Sequence, residues 1–144
     1  MRLALTVLTA AAILAPGLAH ANPAVGDTLA CQSRHKGRQL YAVVGRITPY
    51  GQNGAVASVS LVDTAAGRAP QGDHIPVDLR MLNASCPVKS LKALPLGAHF
   101  EDGYTEWRLA FDAGEAGVFA LSIDEIDDIL QAQRAKPTTK EARR

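Results

Sequence analysis

Two cysteines, Cys31 and Cys86, stand in this chain of 144 residues, and a bond between them would tie its opening segment to its middle. The compartment decides whether they join, because disulfides persist outside the reducing cytoplasm. The N-terminal segment points to such a compartment. Met1-Arg2 give a short positive region, Leu3 to Leu14 run almost without a polar atom, Pro16-Gly17 break a helix, and Ala19-His20-Ala21 has the small-x-small form of a peptidase site. The apolar run is well short of the roughly 20 residues that a spanning helix needs. Residues 1–21 therefore read as a cleavable export signal, with a mature chain starting at Asn22, no transmembrane anchor and a periplasmic or secreted location. Thr28-Leu29-Ala30-Cys31 is a poor lipidation box, because Asn22 to Asp27 separates it from the apolar run and Leu29 sits one place late. Cys31 and Cys86 then read as a disulfide closing a loop of about 55 residues, for which chain entropy gives about 4 kcal/mol. Against a net domain stability of roughly 5–15 kcal/mol, that is decisive.

The staple matters more because the interior is thin. Alanine supplies much of the 47% apolar content and aromatics are 5%, so little area is buried per core residue. The mature chain, about 120 residues, has the length of one domain. The expected organisation is a signal peptide over 1–21, a single globular domain over 22–136 and a polar tail over 137–144. Setting Arg2 aside leaves the basic side chains equal in number to the 14 acidic ones. A near-neutral chain lacks the excess of cations that general nucleic-acid binding requires, so nucleic acid is not an expected partner.

Along the chain, Asp27 to Ser33 alternates as a strand, and Arg34-His35-Lys36-Gly37-Arg38 forms a polar turn with Gly37 at positive φ. Gln39 to Thr48 and Ala55 to Asp63 are two further strands, joined by a turn ending in Asn53-Gly54. In the third, Ala57, Val59 and Leu61 share a face opposite Ser58 and Ser60. Thr64 to Asp73 reads as a loop, and His74 to Asp78 as a short fourth strand that Pro76 confines to an edge. Asp78 caps a short helix that returns Cys86 to the first strand, and Pro87 to His99 is irregular chain over the sheet.

From Asp102 the period becomes helical, with Tyr104, Trp107 and Phe111 on one face and Gly114 as the stop. Gly117 to Ser122 reads as a strand. Ser122 and Glu125 then have capping-box spacing before a helix with the stripe Ile123, Ile126, Ile129 and Leu130. The fold class expected is α+β: a four- or five-stranded antiparallel meander, curved or partly barrel-like, with one or two C-terminal helices.

No pattern fixes a reaction. G-x-S-x-G, H-E-x-x-H and a phosphate-binding glycine loop are absent from the sequence. Ser33-Arg34-His35-Lys36 matches S-x-x-K, but its companion motifs are missing and it falls in a turn. His35, His74 and His99 offer no local chelate, and no metal or cofactor is expected. The helix-start carboxylates Asp124, Asp127 and Asp128 are explained by the helix dipole. Glu101, Asp102, Glu106 and Asp112 could be searched for a glycosidase pair, but Asp102 and Glu106 share an exposed helical face. Asn83-Ala84-Ser85 is an N-x-S triplet. The densest charge is Arg34, His35, Lys36 and Arg38, the candidate binding tip for an acidic protein or an anionic envelope component. These features favour an exported, non-enzymatic binding protein of inhibitor, immunity or accessory type. The competing reading is a small exported hydrolase of cell-wall or polysaccharide material, which requires a cleft with a strongly perturbed acid or histidine.

Overall fold

A computed structural model describes residues 22–65 and 70–136. The export signal and the polar tail of the sequence reading lie outside these residues, as do positions 66–69 of the expected loop. Five strands form one antiparallel sheet: β1 (Thr28–Ala30), β2 (Leu40–Tyr50), β3 (Gly54–Asp63), β4 (Pro70–Asp78) and β5 (Val88–Lys89). Their order is β4-β3-β2-β1-β5, which leaves β4 and β5 on opposite edges. The sheet is therefore open and not barrel-like, since the two-residue β5 pairs with β1 alone. Among the described residues three helices complete the α+β fold: α1 (Leu79–Ser85), α2 (Phe100–Asp112) and α3 (Ile123–Ala135).

The meander follows its local signals, with corrections at the turns. Gly37 takes φ +80° between β1 and β2. Between β2 and β3 the left-handed residue is Gly51 at φ +61°, while Gly54 already pairs with Tyr50 as the first residue of β3. The Asn-Gly pair therefore ends this turn without forming its centre. β4 begins at Pro70, inside the segment expected to be a loop, because irregular pairing with β3 around Leu61 accommodates Gly72 and Pro70. Pro76 lies on the outer strand, where its missing N–H costs no ladder bond. Gly117 to Ser122 is not a strand: Phe119 makes one parallel bridge to Val77 and the chain turns into α3.

Both faces of the sheet are covered. On one, Leu29, Leu40, Ala42, Val44, Ala57, Val59, Leu61, Ile75 and Val77 meet Leu82 of α1 and Ile123 and Ile126 of α3. The sheet's share of this core is mostly valine and alanine. Cys31 and Cys86 join at its margin with an S–S distance of 2.03 Å. Ser85, beside Cys86, is a junction: its carbonyl accepts from Gln32 N–H and its Oγ accepts from Ile123 N–H at 3.1 Å.

The serine face of β3 is not solvated. Ser58 and Ser60 are fully buried beneath α2 and the segment 90–99 that leads into it. Buried hydroxyls anchor this strap. Thr28 Oγ1 accepts from Leu94 N–H at 3.1 Å, and Ser60 Oγ accepts from Gly97 N–H at 2.9 Å while donating to the Asp73 carbonyl. Polar atoms can lie under the strap because each has a partner.

Candidate functional site

Two regions collect chemistry-bearing side chains. The first holds the predicted basic tip. Arg34 reaches Asp124 through Nε and Asp128 through Nη2, the latter at 2.9 Å. His35 Nε2 lies 2.8 Å from Asp128 Oδ1. Arg38 joins Asp127 at 2.6 Å and Asp63 at 2.8 Å, with both carboxylates 1% exposed. The hydrogen bond to Asp127 is the main influence raising the Arg38 pKa. Burial works to raise the Asp124 carboxyl, but bonds from Arg34 and Ser33 outweigh it and hold the group below its ordinary value. The tip is thus one half of a clasp whose other half is the acidic start of α3 and the end of β3. Lys36 is exposed at its apex and makes no ion pair among the described residues. The two guanidiniums of Arg34 and Arg38 face Asp63, Asp124, Asp127 and Asp128, so carboxylates of α3 and β3 offset the positive charge that the tip's own sequence carries.

The second region lies where α2 crosses the outer strand β4. A groove of about 520 Å³ is lined by Asp73, His74, His99, Asp102, Glu106 and Trp107, among others. Its wall forms because α2 approaches β4 closely at Gly103, where an added Cβ would stand 2.8 Å from His74 Cβ. His74 is half-buried among Phe100, Tyr104 and Trp107, with ring centroids 5.4–5.9 Å away. Its Nε2 is 2.9 Å from Ser58 Oγ. Desolvation holds its pKa below the ordinary histidine value, favouring the neutral ring. Trp107 is oriented by a 3.0 Å hydrogen bond from Nε1 to the Gly117 carbonyl. Asp73 accepts the His99 amide, whereas Asp102 and Glu106 lie exposed on the outer face of α2.

His74 and the groove were not singled out by spacing. Position 74 joins residues 99–107 only when α2 folds over β4. One advance signal was the aromatic stripe of α2, whose Tyr104 and Trp107 do form the wall beside His74. Of the expected carboxylate set, Glu101 pairs with Arg46 and Asp112 with Arg108, while Asp102 and Glu106 reach the groove. Among the described residues no group of three or more His, Cys, Asp or Glu side chains has metal-binding geometry. At the N-x-S triplet, Ser85 Oγ is buried and donates to Met81 O at 2.7 Å while accepting from Ile123 N–H. That arrangement opposes modification of Asn83 once the domain has folded.

Among the described residues no helix is long and apolar enough to cross a membrane. No protein-family model, curated protein or solved structure matches the chain.

Proposed function

We propose that the chain is an exported, disulfide-stabilised binding protein of the cell envelope that acts by recognising a protein partner. The disulfide and the export signal read at residues 1–21 support export. One observation carries the choice of recognition over catalysis. The desolvated His74 directs Nε2 to a serine hydroxyl that is itself fully buried, out of reach of a substrate bond. The nearby Asp102 and Glu106 sit one helical turn apart on the same exposed face, and so do not straddle a bond as glycosidase carboxylates do. At the basic tip, Lys36 is the residue left to present charge, because Arg34, His35 and Arg38 are engaged with α3 and β3.

The test begins with exported material. Intact mass should give a chain starting at Asn22, and denaturing thiol labelling should find no free thiol. Chemical cross-linking in intact cells should then yield a discrete protein adduct. The hydrolase reading is favoured by the lining of the groove with a perturbed histidine. It takes over if purified protein cleaves cell-wall glycan, His74→Gln abolishes that cleavage and no adduct forms.

A further inference from the structure

We infer that the α2–β4 groove docks a lysine- or arginine-bearing segment of a protein partner. This rests on the binding-protein reading above and assigns the surface and the chemistry of what it binds.

The first support is charge. Elsewhere Glu125 accepts from Ser122 in the α3 cap and Glu115 stands alone on the surface among the described residues, while the carboxylates of Asp27, Asp63, Asp78, Glu101, Asp112, Asp124, Asp127 and Asp128 have cations within ion-pair distance. At the groove Asp73, Asp102 and Glu106 have none among the described residues, and no lysine or arginine lines it. His74, kept neutral by burial, does not offset them. The second support is the wall. Trp107 and Ala110 give an apolar surface for the methylene stem of a long basic side chain, while the carboxylates receive its charged head. The same helix already holds such a side chain: Arg46 lies 5.6 Å over the Tyr104 ring and bonds Glu101 at 3.0 Å.

Shape selects the source of the cation. The groove is open, whereas small-ligand sites bury most of their ligand. Its acids come from two elements, Asp73 on β4 and Asp102 and Glu106 on α2, so a chain carrying several cations satisfies them better than a single amine. The surface is also preformed. Gly103 permits close approach of α2, and the Trp107 indole is fixed by Gly117, so little ordering opposes docking.

The test uses the folded mature protein and two capped hexapeptides, one alternating glycine with lysine and arginine, the other alternating glycine with glutamate. Calorimetric titration should show binding of the basic peptide alone, weakening as salt rises. The double variant Asp102→Asn/Glu106→Gln keeps the shape of two exposed side chains and should lower affinity about tenfold. Glu115→Gln, elsewhere on the surface, should not change it. Equal binding of both peptides, an unaffected double variant, or equal competition by lysine amide would each overturn the assignment. Cross-linking in cells separates the two levels of the argument. An adduct lost in the double variant supports the groove. An adduct retained in it overturns the groove and leaves the binding-protein reading standing, and no adduct from the parent overturns both.

Discussion

Arg38 stands between two carboxylates that are almost wholly removed from water, Asp63 and Asp127. Removing one member of such a set leaves buried charge without compensation, which is more costly than the net contribution of the intact pair. Arg38→Ala should therefore lower stability by about 3–5 kcal/mol in urea unfolding. Arg38→Lys should recover part of this, because a single ammonium cannot span both acids as a guanidinium fork does. His74 sets a second residue-scale expectation. Its native pKa lies below the unfolded value, so the unfolded chain takes up the proton more readily. The stability it contributes is present above about pH 6.5 and falls as pH drops from there through the native value. The parent should lose more stability between neutral and mildly acid pH than His74→Gln, measured as the change in unfolding midpoint. The lowered carboxylates Asp27, Asp78 and Asp124 lose their stabilisation at lower pH, below about 4, so the two windows separate. Both halves of the clasp were visible in the sequence as a basic turn and an acidic helix start. Their pairing was not, since the partners are 89 to 94 residues apart.

The elements that obeyed local chemistry were legible in advance. Asp78 accepts from Arg80 N–H at 2.8 Å to start α1, and Ser122 and Glu125 form a reciprocal capping box at α3. The apolar alternation of β2 and β3 placed both strands within two residues of their observed limits. What failed depended on distant chain: β4 extends to Pro70 because β3 offers an edge, and Phe119 has one bridge because only Val77 meets it there. Ser58 and Ser60 were placed on the face opposite Ala57, Val59 and Leu61, but the strap that buries them could not be read from the strand itself. Close approach gives a sharp test. Gly103→Ala improves helix propensity, yet its Cβ would meet His74, so it should destabilise by about 1–3 kcal/mol and shift the Trp107 fluorescence. The strap gives another. Ser60→Ala removes the acceptor of the Gly97 amide, and native-state hydrogen exchange should accelerate at Gly97 and along 94–99 more than in β2.

For the molecule as a whole, aliphatic side chains without a single aromatic make up the sheet side of the main core, and a single covalent bond secures the edge where β1, β5 and α1 converge. Replacing both cysteines by serine should cost about 4 kcal/mol at most in chemical denaturation, with the parent falling toward the same value under reductant. The site was the least legible level. Its acids, aromatics and histidine were all countable in the sequence, but their meeting required an open sheet with helices on both faces. Cys31 and Cys86 have a consequence for maturation. A chain with two thiols has a single intramolecular pairing, so its oxidative folding has no scrambled isomer to correct. Cells lacking a disulfide isomerase but retaining a thiol oxidase should accumulate the protein at full yield, whereas loss of the oxidase should deplete it.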